Sequence, residues 1–312
     1  MKLTRRLYQD EDDYWQIREF LRQVFLLNDR REQSWHVARF DYWRWHGIEN
    51  MGHGRLETDV FIWEMADARM PSGPIAAVLT REGPGDVFLQ VHPGLRTPEL
   101  EDGMAAVAEQ HLAITGPNGQ RKLCLWANEH DEALRNVLTR RGYTQSDGPE
   151  HQHRRVLSRP IPDVPVAEGY TVRALGDVEE LPARSWASWK AFHPDEPDED
   201  YEGWEWYRNV QRAPLYRRDL DLVAVAPDGE VASFCTIWYD DVTRSAYFEP
   251  VGTQPAHQRR GLGKAVMFEG LRRLRWMGAT IALVGGFSPA ANALYGSLGT
   301  EQDLLEPWEK KL

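Results

Sequence analysis

The segment YFEPVGTQPAHQRRGLGKAVMFEGL, Tyr247–Leu271, constrains this chain more than any other stretch. An apolar, strand-like run leads into the turn Gln258-Arg259-Arg260-Gly261-Leu262-Gly263, and a long helical pattern follows. Glycine at 261 and 263 lets the backbone come close to a ligand with no side chain in the way. The free N–H groups and the positive dipole end of the helix start attract an anion. Arg259, Arg260 and Lys264 add positive charge. These features describe a pyrophosphate cradle. The phosphate-loop pattern G-x-x-x-x-G-K-[ST] and the dinucleotide pattern G-x-G-x-x-G are both absent.

The organisation around this segment is repeated. At about 150 residues per domain, 312 residues suggest two domains. Ser158–Gly169, with three prolines and no helical periodicity, reads as a linker. The expected division is therefore 1–157, a linker at 158–168, and 169–312. In the second half, strands are expected at Gly169–Leu175, Tyr247–Thr253 and Ile281–Val284. A hairpin, Leu220–Ala226 with Val231–Asp240, is expected around the turn PDGE. Helices are expected at Val178–Phe192, Tyr201–Val210, Gly261–Met277 and Pro289–Leu298. The first half shows the same order. Its helices are expected at Glu11–Leu27, Ser34–Ile48, Pro98–Ile114 and Asp131–Arg140, and its strands at Val60–Ala66, Ile75–Thr80, Asp86–Val91 and Lys122–Trp126.

The segment resembles the acetyl-CoA-binding motif of the GNAT superfamily of N-acetyltransferases. The resemblance covers Gly169–Leu312 and includes Asn292-Ala293-Leu294-Tyr295-Gly296-Ser297-Leu298-Gly299, similar to the family's asparagine- and tyrosine-containing element. It implies an α/β (α+β, mixed-sheet) fold: two tandem GNAT-like domains, each a bent mixed sheet flanked by helices. It also implies acyl-CoA in the opening between the fourth and fifth strands. The pantetheine arm would pair with Val251, Gly252 and Thr253, and the pyrophosphate would lie over Gln258, Arg259, Arg260, Gly261, Leu262, Gly263 and Lys264. Asn292 joins this cofactor set.

The first half departs from that pattern. Aligning Pro93 with Pro255 puts Arg96 at Gln258, Glu99 at Gly261 and Glu101 at Gly263. Carboxylates there repel a pyrophosphate by about 1 kcal/mol per close pair in water, and by more where water is excluded. Leu138 stands where Tyr295 lies. The amino-terminal copy thus reads as degenerate, with a structural or substrate-shaping role.

The activity implied is acetyl transfer from acetyl-CoA to a small amine by direct attack. It needs deprotonation of the amine, polarisation of the carbonyl and protonation of the leaving thiolate. Tyr295 is the candidate acid, from the family's tyrosine beside the CoA sulfur. A backbone N–H near Val251–Thr253 would polarise the carbonyl. Many family members carry a glutamate where this chain has Tyr247. Glu249, two residues on, is the candidate base, or a carboxylate that only orients the acceptor. His193 and His257 read as ordinary surface or helix-end histidines.

Ser185–Tyr207 would face the acceptor. It combines Asp195, Glu196, Asp198, Glu199, Asp200 and Glu202 with several aromatic residues. Carboxylates and aromatic faces both attract cations, although a solvated acidic loop beside a packed helix has the same composition. Two readings from other classes stay open: a CoA-binding regulatory protein that transfers nothing, and a protein-amine acetyltransferase.

Composition closes off other classes. A net charge of −11 argues against general nucleic-acid binding, which relies on a basic surface. No apolar run approaches the roughly 18 residues that cross a bilayer, and the acidic early sequence is unlike a secretory signal, so the expected location is cytoplasmic. Cys124 and Cys235 have no metal-ligand spacing around them, and no metal site is expected.

Overall fold

The computed structural model describes residues 2–65 and 73–312. The chain forms two compact units, one of residues up to His151 together with Asp303–Leu312, the other of Gln152–Gln302. The first unit therefore includes the end of the chain. The second includes residues 152–157, which the sequence placed before the linker. Each unit draws a strand from the opposite half of the sequence, so two sheets built separately from the two halves are not what forms.

In unit 1 the strands are β1 (Leu3–Leu7), β2 (Phe61–Met65), β3 (Ile75–Gly83), β4 (Asp86–Val91), β5 (Ile114–Thr115), β6 (Arg121–Asn128) and β7 (Thr144–Gln145). Residues 303–311 of the last strand, β14 (Glu301–Lys311), complete the order β1-β2-β3-β4-β6-β14, with β5 on β6 and β7 on β14. β4 and β6 are parallel, while β14 runs antiparallel to β6 from Leu305–Asn128 to Lys311–Lys122. Helix α1 (Glu11–Leu27) starts where Asp10 accepts hydrogen bonds from the Asp12 and Asp13 N–H groups. It buries Tyr14, Ile17, Leu21 and Val24 at helical spacing. α2 (Val37–Tyr42), α3 (Leu56–Asp59), α4 (Pro98–His111) and α5 (Glu132–Arg140) follow.

The helix expected at Ser34–Ile48 is instead α2 running into a π-helical turn at Trp43–Ile48. The helix expected at Pro98–Ile114 stops at His111, and Ile114 begins a strand. The strand expected at Val60–Ala66 covers Phe61–Met65, with Ala66 outside the described residues.

Unit 2 contains β8 (Glu150–Val156) from residue 152 onward, then β9 (Thr171–Ala174), α6 (Leu181–Phe192), α7 (Tyr207–Gln211), β10 (Asp221–Val225), β11 (Val231–Asp240), β12 (Ser245–Thr253), α8 (Leu262–Trp276), β13 (Ile281–Gly286) and α9 (Pro289–Gly296). Its strand order is β8-β13-β12-β11-β10-β9. β12 and β13 are parallel, and β9 through β12 pair antiparallel. The PDGE turn closes the β10–β11 hairpin, with Gly229 at φ +92°, a conformation that suits glycine. The helix expected from Tyr201 forms only from Tyr207; residues 201–206 are loop. The core under α8 joins Leu222, Ile237, Phe248, Val266 and Leu271.

One buried polar network fixes α6 and α7 to this sheet. Arg184 of α6 is fully buried. It donates to Asp221 Oδ1 (3.4 Å) and Thr236 Oγ1 (3.0 Å), and its guanidinium stacks over Phe234 at 3.8 Å. Tyr207 and Tyr216 donate to Asp221 Oδ2 at 2.5 and 3.0 Å. The Asp221 charge is tolerable inside because a cation and three hydroxyls face it. Replacing Arg184 with alanine strands that carboxylate. Denaturant unfolding is expected to show a loss of about 3–5 kcal/mol, against about 1 kcal/mol or less for Arg173→Ala, which removes the surface pair with Glu180.

Candidate functional site

The site of unit 2 follows from where two parallel strands part. β12 and β13 pair at Ser245–Ile281, Ala246–Ala282 and Tyr247–Leu283, and there the register ends. β12 continues to Thr253 and β13 to Gly286. Between Phe248–Ile237 and Val251–Cys235, two residues of β12, Glu249 and Pro250, stand opposite the single residue Thr236. Such a bulge bends a strand and increases its twist. The bulge sits where β12 leaves β13, and the strand edge beyond it is open to an extended, amide-bearing ligand.

Val251, Gly252 and Thr253 form that edge and are half-buried. Gly252 is required by packing: a Cβ there would lie 2.4 Å from Phe234 Cζ and 3.0 Å from Ala191 Cβ. The chain then turns through Gln258–Gly261. Gln258 Nε2 donates to the Thr253 carbonyl at 3.2 Å. Arg259 and Gly261 take φ values of +63° and +76°. A left-handed conformation is uncommon for a non-glycine residue and is often found at functional loops.

Gly261 caps α8 without any side-chain hydrogen bond. The Ala265 N–H reaches the Gly261 carbonyl at 3.0 Å, so those of Leu262, Gly263 and Lys264 have no acceptor within the helix. A Cβ on Gly263 would come within 3.4 Å of Thr253 Oγ1 and 3.3 Å of Leu294 Cδ2. Arg259 and Arg260 are exposed, and Lys264 is half-buried beside Phe268. Bare N–H groups, a glycine floor and three cations fit a pyrophosphate.

Across the opening stands α9. Ser288 caps it by accepting from the Ala291 N–H (3.1 Å), with Pro289 in the first turn. Asn292 and Tyr295 share a face at i, i+3. Tyr295 is 7% exposed, and its hydroxyl makes no hydrogen bond among the described residues. Burial, Cys235 and Glu249 together raise the phenol well above its ordinary range, so it keeps its proton at neutral pH. Gly286 makes room for both residues: a Cβ there would lie 2.3 Å from Asn292 Oδ1 and 3.0 Å from Tyr295 Cε2.

Glu249 is half-buried, and its negative charge adds to burial in raising the Tyr295 phenol. Strand alternation, the basis on which it was grouped with Tyr247, is interrupted by the bulge, so its nearness to Tyr295 rests on the tertiary structure. Tyr247 is 2% exposed.

The two histidines set aside from the sequence are held by neighbours. His257 lies between Tyr170 (2.9 Å) and Glu230 (3.0 Å), and His193 stacks on Trp189 at 4.0 Å. The carboxylates of 195–202 are exposed, and Asp198 pairs with Lys190 at 2.8 Å. Tyr201 folds inward against Trp186 and donates to Ser185 Oγ at 2.9 Å.

Sequence reasoning missed His153 of β8, which is 2% exposed. Its Nε2 lies 3.2 Å from Asn292 Oδ1, and its ring meets the Tyr295 ring edge-on at 5.6 Å. The stretch EHQHRRV has no apolar alternation that would mark a strand.

In unit 1 the parallel pair is β4 with β6. β4 and β6 pair only from Asp86–Cys124 to Phe88–Trp126, and the Phe88 and Trp126 rings stack at 5.8 Å. Thr97 caps α4 by accepting from the Leu100 N–H at 3.2 Å. Arg96 donates to Glu101 and to Asp131. Glu101 is fully buried, and burial raises its carboxyl despite Arg96. Glu99 is exposed, and Leu138 is a core residue.

Residues 178–300 match the acetyltransferase (GNAT) family. A mycothiol acetyltransferase from Kineococcus radiotolerans is 28% identical over 239 residues, 73% of this chain and 74% of that protein. A GCN5-related N-acetyltransferase from Sphaerobacter thermophilus superposes with a TM-score of 0.65 at 18% identity, covering 99% of this chain and 95% of the other. A tandem GNAT protein from the clavulanic acid biosynthesis pathway gives the same score at 15% identity over 99% and 98%. No helix among the described residues is long and apolar enough to cross a membrane. With the family match lying on the unit that carries the open cradle, and the fold shared over nearly the whole chain, this protein is an enzyme with the GNAT N-acetyltransferase fold.

Proposed function

We propose that unit 2 transfers an acetyl group from acetyl-CoA to a small, cationic primary amine, and that unit 1 is a degenerate tandem copy that binds no CoA. The observation that carries the reading is the pairing of an open anion cradle at Gln258–Lys264 with a protonated, unbonded Tyr295 hydroxyl across the same strand opening. Acetyl-CoA, when bound, supplies the activated acetyl group and a thiol leaving group. Val251–Thr253 hold the amide-bearing arm along the free edge of β12, and Asn292 lies on the same face of α9 as Tyr295. Arg259, Arg260 and Lys264 neutralise the pyrophosphate above the first turn of α8.

Tyr295 donates its proton to the departing sulfur. Its high phenol pKa favours holding that proton until negative charge develops beside it. Glu249 receives a proton from the amine, directly or through water. A regulatory protein that only binds CoA would need neither group. The acidic segment 195–202, with Trp186 and Trp189 beneath it, supports a cationic acceptor with an apolar portion. The mycothiol acetyltransferase relative adds acceptors of mycothiol type to those worth assaying.

Calorimetry should give one acetyl-CoA per chain, and Gly263→Glu, which puts a carboxylate among the N–H groups, should abolish it. Two molecules per chain would show that unit 1 is competent. Tyr295→Phe should lower kcat by about 10²–10⁴-fold, with acetyl-CoA affinity nearly unchanged. An unaltered kcat where chemistry limits the rate removes Tyr295 from the mechanism. The triple change of Glu199, Asp200 and Glu202 to their amides should raise KM for the amine at low salt and flatten its salt dependence. A KM that stays at the parent value across salt concentrations counts against a cationic acceptor.

A further inference from the structure

His153 contacts α9 at two places and Thr300, beyond its end, at a third. Nε2 lies 3.2 Å from Asn292 Oδ1, Nδ1 lies 2.8 Å from Thr300 Oγ1, and the ring packs edge-on to Tyr295 at an interplanar angle of 75°. Thr300 Oγ1 is also 3.3 Å from the Tyr295 carbonyl oxygen. Two positions along β8, on the same face of the strand, Arg155 donates to the Leu298 carbonyl and, at 2.7 Å, to that of Pro160. One strand face therefore holds α9 at Asn292 and Tyr295 through His153, and the chain just past the helix, at Leu298, through Arg155. Gly286 closes off the opposite movement, because Asn292 and Tyr295 already fill the space where its Cβ would be.

The chemistry of the contact matters as much as its position. A buried histidine is stable only with its ring nitrogens matched. Both ring nitrogens have a polar neighbour, Nε2 at Asn292 Oδ1 and Nδ1 at Thr300 Oγ1, and the Thr300 hydroxyl itself donates to the Tyr295 carbonyl. An apolar side chain would pack against α9 as closely but would supply no directional bond to it. Bonds to Asn292 and Thr300, on either side of Tyr295 in sequence, fix the helix and with it the direction of the phenol. The Tyr295 hydroxyl has no protein partner among the described residues to aim it, so its aim depends on the helix that carries it.

We propose that His153 is a positioning residue for Tyr295, holding the phenol on the path of the leaving sulfur. This rests on the reading of Tyr295 as the proton donor. It also makes the strand at the end of the first half of the sequence a working part of the catalytic unit.

The test compares His153→Phe, which keeps a ring but removes both hydrogen bonds, with His153→Gln, Thr300→Val, Tyr295→Phe and the double variant His153→Phe/Tyr295→Phe. The rate read is release of free CoA from acetyl-CoA, with and without a mixture of putrescine, tyramine and glucosamine, so that transfer to water is measured even where no amine is accepted. His153→Phe should lower kcat roughly 10–100-fold, as a misplacement of about 1 Å can, with the dissociation constant for CoA within about threefold of the parent. His153→Gln should recover part of the loss, and Thr300→Val should fall in the same direction by less. Once the hydroxyl is gone His153 has nothing to aim, so the double variant should be no slower than Tyr295→Phe alone.

The proposal is overturned if Tyr295→Phe is slow while folded His153→Phe or Thr300→Val keeps the parent kcat. It is equally overturned if the losses of the double variant multiply. A parent-like Tyr295→Phe overturns the proton-donor reading and this proposal together, which separates that failure from a failure at His153 alone. Should His153→Phe not fold, His153→Gln and Thr300→Val carry the same comparison against Tyr295→Phe.

Discussion

Everything at the site of unit 2 depends on β12 leaving β13 after Tyr247. A sheet that kept its pairing would satisfy the edge of β12 with β13 and leave no opening. The extra residue at Glu249–Pro250 breaks the match to β11 at the point of departure. Beyond it, Val251–Thr253 keep backbone groups that no neighbouring strand of the opening takes up. Unpaired backbone groups at the edge of a sheet are a template for another chain or ligand. Here the template ends at a helix start that also lacks a cap. One departure in strand pairing therefore brings an open edge, a bare helix N-terminus and the Tyr295 face of α9 to a common space.

Unit 1 differs from unit 2 in the side chains around its own parallel strand pair. Its parallel pair β4–β6 carries stacked Phe88 and Trp126 rings on adjacent strands, and Thr97 caps the helix that follows. Arg96 is drawn in by Glu101 and Asp131, so the positive charge that could meet an anion is already matched by buried carboxylates. The helix start after Gly261 has no side-chain cap, whereas that after Thr97 is capped by its hydroxyl.

Much of this could be read directly from the chain. Periodicity located α1, β4 and β11 to the residue, because each has an apolar pattern bounded by clear caps or turns. The cradle was legible because close approach to an anion demands glycine at 261 and 263, a requirement local to a few residues. β8 and β14 were invisible for the opposite reason. Their residues, Glu150, Gln152, His153 and Arg155 in one and Glu306 in the other, are polar but buried, and hydropathy reads such residues as surface. The aromatic-rich stretch 201–206 was read as the start of a helix, whereas Tyr201 turns inward against Trp186 and Ser185.

The sequence alone determined the elements whose signals are local: the hairpin at PDGE and the glycine turn into α8. Only the tertiary structure decided which strand completes which unit, placing residues 303–312 with unit 1 and 152–156 with unit 2. It alone placed His153 behind Tyr295, and Glu249 close enough for its charge to raise the phenol. The physical reason is range. Turn geometry and helix capping depend on neighbours a few residues away, while the partner of a buried polar side chain, such as Thr300 for His153, is chosen by packing across 147 positions of sequence.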